Sequence, residues 1–306
     1  QELIEKGTIE KVVCNEDYEP YALERDAEIK KLLAEKGVGF ESYKDQVIFA
    51  KDEVTKDDGT PYKVYTPYSR KWLSHFEEKP FVHFPSEDFL HHCVQKIQPS
   101  CNLEDLGFSK SPVAQPEVLF NEKVIDHYEA TRNFPALNQT SRLGTALRFG
   151  TVSVRKVVKK AASRINNTFL KELIWREFFM QILWHFPKTP TQSFKPQYER
   201  IEWRNNEKEF AQWCAGETGY PLVDAGMREL NQTGFMHNRV RMLVGSFLCK
   251  HLLIDWRWGE AYFAEKLLDY EMSSNVGNWQ WVAGCGVDAA PYFRIFNPTE
   301  QIKKFD

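Results

Sequence analysis

Apolar positions recur with different periods at the two ends of this chain. IEKVVC at 9–14 reads as a strand. YEPYALERDAEIKKLLAEKG follows as a helix, with Leu23, Ala27 and Leu33 on one face and Gly37 as its stop. QVIFA at 46–50 reads as a second strand, so the order strand, helix, strand predicts a fragment of parallel sheet. Asp58-Gly59 is a turn signal, after which TPYSRKWLSHF resumes a helical period. From 78 to 122 proline and polar residues break every period, which predicts a connector.

Beyond residue 123 the pattern is helical almost throughout. ELIWREFFMQILW (172–184) gives a wide apolar face of Leu173, Trp175, Phe178, Phe179, Ile182 and Leu183. HNRVRMLVGSFLCKHLLIDW (237–256) and GEAYFAEKLLDYE (259–271) predict two further helices. In that reading Asp269 and Glu271 end a helix, opposing its dipole, just before a glycine-asparagine loop. The expected fold is therefore α/β plus all-α, a truncated Rossmann-like parallel sheet followed by a large helical region.

Composition narrows this only slightly. At 306 residues and 42% hydrophobic the chain is globular. No apolar run approaches the roughly 18 to 20 residues of a membrane helix. Six cysteines without CxxC pairs suit a reducing, cytoplasmic setting. His91, His92, Cys93 and Cys101 meet no zinc spacing rule, so no metal is expected. The net charge of −3 hides an asymmetry: residues 1–120 carry 15 Lys+Arg against 23 Asp+Glu, and 121–306 carry 25 against 20. The basic second part hints at a polyanionic partner.

Candidate chemistry points the same way. Arg132, Arg142, Arg176, Arg239, Arg241 and Arg294 sit beside aromatic or small residues, a setting that suits phosphate contact with base stacking. Surface salt bridges are the plain alternative. TSRLG (140–144) resembles a helix start where Thr140 or Ser141 would cap and free N–H groups could hold an anion. Glu172 on an apolar helix is either a satisfied buried carboxylate or a substrate contact. The segment NVGNWQWVAGCGVD (275–288) combines Trp279 and Trp281 with small residues that let something large approach the backbone.

Taken together, GMRELNQTGFMHNRVRM, WREFF, TSRLG and NVGNWQWVAGCGVDAAPYFRIFNP strongly resemble the DNA photolyase/cryptochrome family, and among its members those that repair cyclobutane dimers. The resemblance implies part of an antenna domain (1–77), a connector (78–122) and a helical FAD-binding domain (123–306). It also implies that members begin earlier than QELIEKGTIE and continue past TEQIKKFD. The implied activity is light-driven repair of pyrimidine dimers by electron transfer from reduced FAD to a flipped-out dimer, with no net redox change. The implied protein is a monomeric lyase acting on ultraviolet-damaged DNA, with an antenna chromophore of folate or deazaflavin type left open.

Residue by residue, Tyr128, Thr140, Ser141, Arg142 and Leu143 match contacts to the FAD phosphates. Asn238, Arg241, Asp269, Glu271 and Asn275 match positions around the flavin ring, with Asn275 facing N5. Glu172, Trp175, Met242 and Trp281 match the dimer pocket, and Arg132, Arg176, Arg239 and Arg294 match positions near the DNA backbone. Trp279, Trp256 and Trp203 match an electron-hopping chain from flavin to surface.

Four positions depart from the family pattern. Glu271 replaces an aspartate, Tyr270 a small residue, and Phe235 and Phe169 stand at positions where many members carry tryptophan. Tyr21-Ala22 lacks the amide-carboxylate pair of folate-binding members. A cryptochrome-type blue-light receptor is the alternative reading. Repair of (6-4) photoproducts would need histidines where Asn238 and Met242 stand.

Overall fold

The structure, a computed structural model, describes residues 4, 7, 9–78, 84–93, 102–115 and 117–305. Strand β1 (Lys11–Asn15) leads through helix α1 (Pro20–Glu35) to strand β2 (Gly39–Tyr43). The two strands pair in parallel, Lys11 opposite Gly39 and Asn15 opposite Tyr43. Pro20 opens α1 at a position whose N–H would be orphaned anyway. Of the expected apolar face Leu33 is buried, together with Ala22, whereas Leu23 and Ala27 face outward.

The second strand thus lies several residues earlier than expected. QVIFA is not a strand: the Ile48 and Phe49 N–H groups donate to the Glu177 carboxylate at 2.6 and 2.9 Å instead of to a ladder. Trp72 Nε1, from helix α2 (Tyr65–Glu78), donates to the same carboxylate at 2.6 Å. Of the 78–122 connector, the described residues form two short 3-10 segments, Ser86–His92 and Glu104–Leu106.

Helices then dominate: α3 (Glu122–Thr131), α4 (Gly144–Arg148), α5 (Val154–Ala162), α6 (Thr168–His185), α7 (Glu207–Ala215), α8 (Pro221–Thr233), α9 (Asn238–Lys250), α10 (Trp256–Lys266), α11 (Met272–Ala283) and α12 (Pro298–Phe305). One core gathers Trp213, Met227, Leu243, Trp256 and Trp279 from α7 to α11. A second joins Ile48, Tyr68 and Trp72 to Val157, Ile174 and Phe178, so the N-terminal segment shares its interior with α5 and α6.

Three boundaries differ from the sequence reading. The run 237–256 breaks after Lys250, because Leu253 turns into the left-handed region (φ 57°) and Asp255 caps a new helix by accepting from Arg257 N–H. The helix expected at 259–271 begins at Trp256 and ends at Lys266. The glycine-asparagine loop is itself mostly helix α11, closed by Gly284 at φ 90°.

Candidate functional site

A cavity of about 360 Å³ opens between α6, α9, α11 and the turn after α10. Its wall brings together Arg132, Glu172, Trp175, Arg176, Asn238, Arg241, Met242, Asp269, Tyr270, Glu271, Asn275, Trp279 and Trp281. The sequence pattern had flagged all of these, although they come from segments up to 149 positions apart. Phe179, Gly245, Phe263, Leu267, Ser274, Asn278 and Val282 complete the wall and were missed. Helical spacing from Trp175 and Asn275 could have found Phe179, Asn278 and Val282.

Helix α11 accounts for the small residues beside the indoles in NVGNWQWVAGCGVD. A Cβ on Gly277 would collide with the ring of Phe179, so the large flat group this glycine admits is a side chain of α6. On the same helix Gln280 is buried. Its Oε1 accepts from Phe194 N–H (2.8 Å), and its Nε2 donates to the carbonyls of Thr189 (2.7 Å) and Gln192 (3.0 Å). These bonds set the rotation of α11 and so the direction in which Asn275, Trp279 and Trp281 point.

Glu271 corrects the dipole expectation. It ends no helix; it is the N-cap of α11, accepting from Ser273 N–H and Ser274 N–H at 2.9 Å and from both serine hydroxyls. A carboxylate there is favourable to the helix dipole. Glu271→Ala is expected to cost roughly 1 to 2 kcal/mol, and Glu271→Asp, which keeps the cap, under about 0.5 kcal/mol. Thermal melts of the two variants check this.

Asp269 lies in the turn between α10 and α11, where Arg241 Nη2 meets both its oxygens at 3.1 and 2.9 Å. Arg241 Nε also donates to Met236 O at 2.8 Å, which fixes the guanidinium plane. Asn275 Nδ2 donates to the Glu260 carboxylate (2.9 Å) and backbone carbonyl (3.2 Å), and Tyr270 OH reaches the same carboxylate at 3.4 Å. Burial raises the Glu260 carboxyl above its ordinary range. His237 caps α9, its Nδ1 accepting from Arg239 N–H at 3.1 Å. Burial and the neighbouring arginines push that imidazole down to about 4, so it is neutral and free to accept.

Also on the cavity wall, Arg132 Nη1 donates to Glu172 Oε1 at 2.5 Å. Arg176 reaches the cavity, but its guanidinium donates to Gln46 O at 2.6 Å and burial lowers its pKa. Arg239 leans on Phe305 and contacts Asn133, and the exposed Arg294 lies over Trp281 at 5.7 Å.

The remaining flagged residues lie off the cavity. In TSRLG neither Thr140 nor Ser141 caps: the N-cap of α4 is Leu143, without a side-chain bond, and Leu143 is buried. Arg142 is in the left-handed region (φ 52°) with a buried, unpartnered Nε. This segment still meets the site, since a Cβ on Gly144 would lie 2.6 Å from Asp269 Oδ2. Tyr128 packs edge-on to Phe169 and under Arg132. Trp256 is buried and Trp203 half-buried in the core that holds Trp279, whose direct ring neighbours are Trp213 and Phe263. Among the described residues no group of three metal-ligating side chains converges; Cys101 lies outside them.

Comparison with known proteins agrees with this architecture. A family model described as the FAD binding domain of DNA photolyase matches residues 169–306, and one described as DNA photolyase matches 1–88. A deoxyribodipyrimidine photo-lyase of Alkalihalophilus pseudofirmus is 38% identical over 97% of this chain. The chain spans 66% of that relative's length. A class III photolyase structure from Agrobacterium tumefaciens superposes with a TM-score of 0.82 at 36% identity, covering 100% of this chain and 68% of that one. A Synechocystis cryptochrome structure gives 0.76 at 27% identity, covering 97% and 66%.

Proposed function

The chain belongs to the DNA photolyase family, and from that premise we propose that it repairs cyclobutane pyrimidine dimers in DNA under blue light, with FAD as its cofactor. The observation that carries the reading is one cavity with two unlike sets of lining residues: the paired charge of Arg241 and Asp269, and Glu172 with the indoles of Trp175 and Trp281. The residues fit FAD: the buried Arg142 Nε–H calls for an acceptor, which a pyrophosphate supplies. Tyr128 and Thr140 to Leu143 would take the phosphates; Asn238, Arg241, Asp269, Glu271 and Asn275 would hold the ring.

When bound, FAD supplies the light absorption and the transferable electron. The chain does the rest. Glu260 anchors the Asn275 amide through Nδ2, so that Oδ1 would be available to accept from a ring N–H of the bound flavin. Asp269 fixes the Arg241 guanidinium at the cavity wall, where its charge would face the ring. Glu172, oriented by Arg132, offers its carboxylate to the N–H edges of a flipped pyrimidine dimer. Trp175, Trp281 and Met242 give the flipped bases apolar faces in place of their lost stacking. Arg132, Arg176, Arg239 and Arg294 supply positive charge near the strand, so binding weakens with salt. Trp279, Trp256 and Trp203 would supply redox-active indoles between a bound flavin and the surface. The segments 1–77, 78–122 and 123–306 are antenna part, connector and FAD domain. A monomeric, cytoplasmic protein belongs to the same reading; no described helix is long and apolar enough to cross a membrane.

The test is illumination of chemically reduced, flavin-loaded protein with a thymine-dimer oligonucleotide under argon. Recovery of thymine absorbance only in the light supports repair; flavin that photoreduces while the dimer persists points to a blue-light receptor. Trp281→Ala is expected to weaken dimer-DNA binding about 10-fold with flavin content unchanged. Loss of flavin instead would place Trp281 in the core.

A further inference from the structure

Trp175 has a neighbour that no pocket assignment includes. Tyr65, the first residue of α2, stacks on its indole with ring centroids 3.7 Å apart and planes within 7°. Tyr65 is pinned at both ends. Its N–H donates to Asp288 Oδ2 at 3.1 Å, a carboxylate serving the N-terminus of α2 from a distant segment. Its hydroxyl donates to Lys171 O at 2.8 Å, one turn before Trp175 on α6. Phe178 meets the indole edge-on at 5.6 Å and Phe179 is tilted against it at 5.6 Å. The indole is therefore clamped against these rings while it lines the cavity.

We propose that Tyr65 is a positioning residue of the dimer pocket, acting through Trp175. It does not line the cavity and touches no substrate. It holds the indole in one orientation before the dimer arrives, so that ordering this side chain is not a cost of binding. It also makes the pocket composite: the backing ring comes from the N-terminal segment, the recognising ring from α6. This rests on the reading of Trp175 as a dimer contact.

The experiment is binding, in the dark, of a fluorescent thymine-dimer oligonucleotide to the complete, flavin-loaded protein. Tyr65→Leu is expected to weaken dimer affinity roughly 3- to 10-fold, with undamaged-DNA affinity unchanged. Tyr65→Phe, which keeps the ring and loses the hydroxyl, restores it; Tyr65→Met serves where the leucine variant folds poorly. In a Trp175→Ala background Tyr65→Leu adds no further loss. An undiminished loss in that background overturns the proposal alone, as does wild-type affinity in both Tyr65→Leu and Tyr65→Met. Wild-type dimer affinity in Trp175→Ala overturns the pocket reading and the proposal with it.

Discussion

Glu177→Leu is expected to cost about 3 to 5 kcal/mol and to separate the N-terminal segment from α6. Its carboxylate is the acceptor for Ile48 N–H, Phe49 N–H and Trp72 Nε1–H, and leucine would leave these buried donors without partners. The same residue predicts a pH dependence. Burial outweighs the three hydrogen bonds and pushes the Glu177 carboxyl up to about 7. A carboxyl whose folded pKa lies above its unfolded value binds more protons in the fold. Its stabilising contribution is thus full below about pH 4.5 and is lost as pH rises through 7. Urea midpoints at pH 5 and pH 8 should differ in that sense for the wild type, and the difference should shrink in Glu177→Gln. An unchanged difference would place the titrating group elsewhere.

Gly259→Ala is expected to destabilise by about 3 kcal/mol or more, through overpacking. The new Cβ would lie inside the indole of Trp279 and 2.6 Å from a Leu248 methyl, with α10 and α11 too closely packed to part. The clash is with the outer carbons of the six-membered ring, which phenylalanine lacks. Adding Trp279→Phe to Gly259→Ala should therefore recover part of the loss, read as a rise in melting temperature over the single variant. No recovery would mean that Leu248, not the indole, limits the approach.

How much of this was legible in the sequence depended on where each residue's partner lies. Helix α2 reads directly from its own period. The motif segments gave the wall of the cavity, because WREFF, HNRVRM and NVGNWQW each put several lining residues on one helix. QVIFA misled because its N–H groups are satisfied by a carboxylate 129 residues away, and no local pattern carries that information. Glu271 misled because the apolar period runs on through Leu267 and Leu268 after α10 has ended. The Ser273-Ser274 pair that follows Glu271 was the available sign of an N-terminus. Tyr65 could not be found at all: its place just before TPYSRKW shows only the start of an amphipathic helix, while its role comes from α6 and Asp288.

The Gln280 amide has a consequence for how the cavity can open. Three hydrogen bonds tie it to the backbone of 189–194, so turning α11 about its axis would break all of them together. One wall is thus keyed like a latch to a distant loop. Helix α6 is held as firmly, by the three donors on Glu177 and by the Tyr65 hydroxyl on Lys171 O. Both helices are therefore set before any ligand arrives, so a large flat ligand meets a cavity already shaped rather than one that it must open.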